Sequence, residues 1–100
     1  MRRRRFSERP FGETAIGLMA ESGVTFRVLG AKTGLSAGYL NHVMHGNRPV
    51  PSNDILDRLA RALGVEPEHF LEYRVRLITQ RLERMPDLVD RLYRRLTESR

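Results

Sequence analysis

Thr25-Phe26-Arg27-Val28-Leu29-Gly30-Ala31-Lys32-Thr33-Gly34-Leu35-Ser36-Ala37-Gly38-Tyr39-Leu40-Asn41-His42-Val43-Met44-His45-Gly46 is the stretch on which the fold turns. Thr25 and Ser36 stand where a hydroxyl caps a helix, accepting a bond from a first-turn amide that has no intrahelical partner. Gly34 and Gly46 stand where helices end, because glycine enters the left-handed conformation without a Cβ clash. This punctuation predicts short helices over residues 26–33 and 36–45, joined by Gly34 and Leu35. With Leu40 and Val43 turned to a core, Ala37, Gly38, Asn41, His42 and His45 project from the opposite side of the second helix.

The flanks read as helices too. Phe11, Ala15, Ile16 and Met19 share one face of a helix predicted over residues 10–22, which Gly23 closes. Asn47-Arg48-Pro49-Val50-Pro51 is a turn or extended segment, because a residue before proline avoids the α region. Ser52 caps a fourth helix with Ile55, Leu56, Leu59, Ala60 and Leu63 inward and Gly64 as its stop. Pro67 opens a fifth, at the first-turn position that proline tolerates. Its apolar residues Leu71, Val75, Ile78, Leu82 and Met85 recur at alternating spacings of four and three. Pro86 breaks that pattern and opens a sixth helix with Leu88, Val89, Leu92, Tyr93 and Leu96 on one face. No stretch alternates as a strand would, and there is no internal repeat. The expected fold is all-α, a five-helix unit over residues 10–70 with a C-terminal helical extension over residues 71–100.

The chain has 100 residues, enough for one modest core, and a net charge of +6 whose distribution is uneven. Residues 1–9 carry +4, residues 10–23 carry −2 and residues 24–64 carry +3. Between Glu21 and Asp54 there is no carboxylate at all. A preference for Arg (17, against one Lys) explains which base is used, but not the missing acids. A long acid-free stretch inside a folded unit suits a face that lies on a polyanion. Nothing reaches the roughly 18 consecutive apolar residues of a membrane span. No apolar run follows the basic N-terminus, so no secretory signal is expected. With no Cys, there are no disulfides or thiolate metal sites, which fits the cytoplasm.

Two short helices joined by a tight turn are the geometry that lets one helix brace while the next enters a groove. Residues 25–46, followed by Asn47-Arg48-Pro49 and then Leu59-Ala60-Arg61-Ala62-Leu63-Gly64-Val65, resemble the phage-repressor and Cro type of helix-turn-helix. This is the xenobiotic-response-element superfamily, with a lambda-repressor-like fold, and the resemblance covers about residues 14–71. It implies that Ser36, Ala37, Gly38, Asn41 and His42 meet base edges or adjacent phosphates. Asn41 can bond both edges of an adenine in the major groove, and Ala37 can pack on a thymine methyl. His42 can donate to guanine or to a phosphate, and Gly38 lets the backbone approach closely. Thr25, Arg27, Lys32, Tyr39, Asn47 and Arg48 are placed for phosphates, which set register without reading sequence.

Three departures accompany the resemblance. Phe26 stands where the family commonly has a glutamine bonded to a phosphate. Met19 and Met44 stand where many members pair an Arg with a Glu, an exchange that is often neutral or better. Ala37 and Gly38 supply no side-chain hydrogen bonds at two reading positions, which shifts weight to indirect readout of DNA shape.

Other features keep more than one reading. Arg2, Arg3, Arg4 and Arg5 form either an arm that follows the DNA, a solvated tail, or an anionic-lipid contact without an amphipathic helix beside it. Asn41 is either a base reader or simply an exposed polar residue. His42 and His45 have a spacing that a metal could use, but no carboxylate or Cys stands near them, so no metal or cofactor is expected. The faces formed by Leu71, Val75, Ile78 and Leu82, and by Leu88, Val89, Leu92, Tyr93 and Leu96, bury either in a homodimer or in an intramolecular hairpin. No nucleophile–base set and no phosphate-cradling glycine loop after a strand points to an enzyme. The sequence is read as a cytoplasmic, homodimeric repressor of double-stranded DNA targets, with no membrane role. The alternative is a protein-interaction module, such as the DNA-binding antitoxin of a toxin–antitoxin pair.

Overall fold

The computed structural model describes residues 6–98. In chain order these form α1 (Phe11–Ser22), α2 (Phe26–Thr33), α3 (Ala37–Met44), α4 (Asn53–Ala62), one 3-10 turn (Pro67–His69), α5 (Leu71–Leu82) and α6 (Pro86–Glu98). There is no strand among them. The expected arm residues Arg2, Arg3, Arg4 and Arg5 lie outside the described residues.

The helix ends follow from local chemistry. Thr25 Oγ1 accepts from the Val28 amide at 3.2 Å, Ser36 Oγ from Tyr39 at 3.0 Å and Ser52 Oγ from Ile55 at 3.5 Å. Such caps are each worth about 1 kcal/mol. Gly34 ends α2 with φ of 79°, and its amide returns to the Gly30 carbonyl.

The core is one cluster drawn from α1 to α4 and closed by Phe70. Phe11, Leu29, Leu40, Leu56, Leu59 and Phe70 are fully buried, and each contributes roughly 1.5–3 kcal/mol of hydrophobic stabilisation. The rings of Phe11 and Phe70 meet edge to face with centroids 4.9 Å apart. Met19 and Met44 lie buried in the same cluster, as an apolar replacement for an ion pair requires.

Two expectations need correction. Ile16 was expected to face inward, yet it is 36% exposed, and Thr14 and Leu18 are buried instead. The buried set of α1 is Phe11, Thr14, Ala15, Leu18 and Met19, a complete helical stripe that tolerates Thr14 because its hydroxyl is bonded. That hydroxyl meets Ser7 Oγ and the Arg9 carbonyl oxygen. The fifth helix was expected to start at Pro67, but Pro67–His69 makes only one 3-10 turn. Phe70 is then extended (φ −84°, ψ 129°), and α5 begins at Leu71. Across this break the Phe70 ring lies against that of Phe11.

The start of α5 is bonded firmly to what precedes it. Glu72 Oε2 accepts from the Phe11 amide at 3.0 Å and so caps α1, where Pro10 offers no side-chain cap. A carboxylate at that helix end also opposes the positive end of the helix dipole. Arg74 donates to the carbonyls of Glu68, His69 and Ser7 at 2.8, 3.2 and 2.8 Å. Its guanidinium carbon also sits 5.1 Å from the centre of the Phe6 ring.

Beyond that anchor the extension is thinly covered. Of the expected stripe, Leu71, Leu82 and Leu88 are half-buried. Val75 is 51% exposed, Ile78 57%, Tyr93 65% and Leu96 72%, with Met85, Val89 and Leu92 also exposed. An open groove of about 660 Å³ lies between α5 and α6, with Leu82, Val89 and Tyr93 in its lining.

Candidate nucleic-acid interface

The tight turn between α2 and α3 depends on a close backbone approach. A Cβ placed on Gly30 would lie 2.5 Å from the Leu35 carbonyl oxygen, so no larger residue fits without moving the turn. Thr33, buried at the end of α2, donates its hydroxyl to the Leu29 carbonyl at 2.8 Å. From α4, Arg58 donates to the Thr33 carbonyl at 3.1 Å, placing a cation at the negative end of α2. On the other side, Gly12 of α1 lies against the Met44 backbone at the end of α3. Packing on both sides therefore fixes how α3 stands on the domain.

Leu40 and Val43 hold α3 to the core, and Ala37, Gly38, Asn41 and His42 are exposed beside them. The Asn41 and His42 side chains make no hydrogen bond among the described residues, so their donor and acceptor edges are free. His45 is exposed as well, but its Nδ1 meets the Asn41 carbonyl oxygen at 2.9 Å. Its ring also packs edge-on to Phe26, with centroids 6.2 Å apart. Phe26, which replaces a polar residue of the family pattern, thus joins the start of α2 to the end of α3. Among the described residues no group of three or more His, Asp or Glu side chains is arranged to hold a metal ion.

The phosphate-type residues divide. Arg27, Lys32, Asn47 and Arg48 are exposed, and none forms a side-chain ion pair among the described residues. Thr25 and Ser36 use their oxygens as cap acceptors and retain a hydroxyl proton to donate. Tyr39 is half-buried and packs its ring against the core, which leaves less of it for a ligand than the other positions have.

One electrostatic contrast gives the acid-free stretch between Glu21 and Asp54 a structural meaning. The first turns of α1, α4, the 3-10 turn, α5 and α6 each carry an acid: Glu13, Asp54, Glu68, Glu72 and Asp87. The first turns of α2 and α3 carry none. Acids in a first turn neutralise the positive helix end, so among these helices only the starts of α2 and α3 remain open to an outside anion.

A bracing helix, a tight glycine-bearing turn and an exposed helix with free polar edges define a helix-turn-helix DNA-binding domain. The chain belongs to the helix-turn-helix domain family, whose model matches residues 2–72, and it is of the phage-repressor and Cro type. No curated protein and no solved structure matches it significantly. The protein is accordingly a DNA-binding regulator. Among the described residues no helix is long and apolar enough to cross a membrane.

Proposed function

We propose that the protein is a sequence-specific transcriptional repressor that acts in the cytoplasm as a homodimer on a two-fold related operator. The observation that carries this reading is the open, acid-free starts of α2 and α3 beside the free side chains of Asn41 and His42. On this reading α3 lies in the major groove, where Asn41 contacts an adenine and His42 a guanine or a phosphate. Thr25, Arg27, Lys32, Ser36, Asn47 and Arg48 hold the backbone, and Ala37 and Gly38 let α3 approach closely. The exposed residues of α5 and α6 supply the surface for a second copy, because apolar faces of this extent gain stability when covered. Two heads then meet half-sites roughly 34–36 Å apart, or a multiple of that. The same exposed face favours a second reading, in which a different protein covers it and the chain is one half of a toxin–antitoxin pair.

The test is selection of bound duplexes from a random pool by the unaltered protein and by Asn41→Ala. The expected result is an inverted repeat whose preference disappears at one base pair per half-site in the variant, a loss of about 1–3 kcal/mol there. An identical motif from the variant refutes the Asn41 assignment. Binding that is flat between about 50 and 200 mM salt refutes the phosphate-dominated mode itself. A chain that sediments alone as a monomer and binds DNA only with a co-purifying protein supports the second reading.

A further inference from the structure

Residues 47–51 leave the end of α3 and carry the exposed side chains of Asn47 and Arg48. The near end of this loop is held by the Asn47 amide, which donates to the His42 carbonyl at 2.8 Å. The far end is held from outside the helix-turn-helix. Arg76, on α5, donates through Nη1 to the Pro51 carbonyl at 2.5 Å and to Asn53 Oδ1 at 2.9 Å. Its Nη2 donates to the Val50 carbonyl at 3.1 Å. Every hydrogen bond that Arg76 makes among the described residues goes to Val50, Pro51 or Asn53, at the end of this loop and the start of α4, and no carboxylate there pairs with it. Bonds from a charged fork are stronger than neutral ones and fix direction as well as distance. Pro49 and Pro51 restrict the backbone between the two anchors further.

We infer that Arg76 is a positioning residue for DNA binding: it holds residues 47–51 so that Asn47 and Arg48 meet the phosphate backbone beside the groove that α3 enters. The inference rests on the proposed role of α3 and extends the binding machinery to a helix outside the helix-turn-helix. Its physical basis is entropic. A loop already ordered gives up less freedom on binding than one that must be ordered by the ligand. Arg76 bonds loop carbonyls and a helix-start amide group, so its removal frees the loop while leaving the buried cluster intact.

The experiment titrates the full chain with a selected duplex over a salt series. It compares the unaltered protein with Arg76→Met, Arg76→Lys, Arg48→Ala and the double variant Arg48→Ala/Arg76→Met. Arg76→Met is expected to weaken binding about three- to tenfold. It should lower the salt slope by about one phosphate contact and leave base preference unchanged. In the Arg48→Ala background the Arg76 substitution should add less than about a further twofold, because the charged Arg48 carries most of what the ordered loop contributes and only the neutral Asn47 contact is left to lose. Arg76→Lys, which keeps the charge but not the fork, should fall between, with lowered amide order parameters at residues 47, 48 and 50 in nuclear relaxation. Fully additive losses, a changed base motif, or a folded Arg76→Lys with an unaltered loop and unaltered affinity each overturn the assignment. The Arg76→Lys measurements decide the matter even if Arg76→Met does not fold. Salt-insensitive binding by the unaltered protein would instead overturn the functional reading on which the assignment rests.

Discussion

Substituting Gly38 by Ala should make the protein more stable and a worse DNA binder, and Gly17 provides the control. Both glycines lie in helices with ordinary backbone angles, and a Cβ on either would meet no heavy atom within 4 Å. Alanine removes the entropic cost of glycine, which is about 1 kcal/mol in mid-helix at Gly17. In the first turn, at Gly38, the gain is roughly half that. For a chain of this size 1 kcal/mol corresponds to about 4–8 °C in melting temperature. Gly17→Ala should therefore raise Tm by about 4–8 °C and Gly38→Ala by about 2–4 °C, both read by thermal circular dichroism. Binding should separate the pair. Gly17 is on α1, away from the proposed interface, so its variant should bind as the unaltered protein does. At Gly38 the new methyl enters a surface proposed to lie against DNA, and overfilling a tight contact costs about 1–3 kcal/mol, which is roughly 5–150-fold in Kd. Equal affinities for the two variants at one temperature would refute close approach at Gly38. A lowered Tm for Gly17→Ala would refute the open geometry drawn around α1.

Gly12→Ala should act in the opposite sense, because a Cβ there would overlap the Met44 carbonyl oxygen, which is backbone and cannot rotate away. A destabilisation of about 1–3 kcal/mol is expected, outweighing any gain in helix propensity and read as a lower urea midpoint at unchanged m. Leu96→Arg, at a residue 72% exposed on α6, should leave the stability of the single chain within about 0.5 kcal/mol. It should abolish the proposed dimer in sedimentation equilibrium and weaken binding to a two-half-site duplex far more than to a single half-site. A variant that still sediments as a dimer would place the interface elsewhere.

What could be read from the sequence was what is decided within a few residues of itself. Thr25, Ser36 and Ser52 cap amides three positions ahead, and Gly34 closes a turn onto Gly30, so the helix ends were legible as local chemistry. The family pattern over residues 25–65 then supplied the order of the helices. The misreadings share a cause. Ile16 and Leu18 are both strongly apolar, and only packing into the core cluster decides which of them turns inward. Nothing local marks Phe70 as a break, and the ring it packs against lies 59 positions earlier in the chain. Glu72, Arg74 and Arg76 looked like ordinary charges on an amphipathic helix, yet each has a partner far along the chain, 61, 67 and 23–26 positions away. Gly12 and Gly30 carry no turn signal and matter only because another backbone passes close by. The proposed site residues were named from a pattern, and the structure adds their exposure, the caps and the bare starts of α2 and α3.

The placement of α5 bears on how two reading heads would cooperate. Its first turns are bonded to the start of α1, to the segment before α1 and to the loop after α3, through Glu72, Arg74 and Arg76. A few residues on, the same helix exposes Val75 and Ile78. A flexible tether between head and interface would make each head search independently and tolerate many half-site spacings. A helix anchored at three points does not bend at its root, so a partner seated on Val75 and Ile78 would set the orientation of α3 directly. Such rigidity matters more here than in a head rich in polar readers. With Ala37 and Gly38 offering no side-chain hydrogen bonds, discrimination has to come from few base contacts multiplied by strict geometry. The proposed reading head and the proposed dimer surface are therefore one mechanical unit, and Arg76 lies at the joint between them.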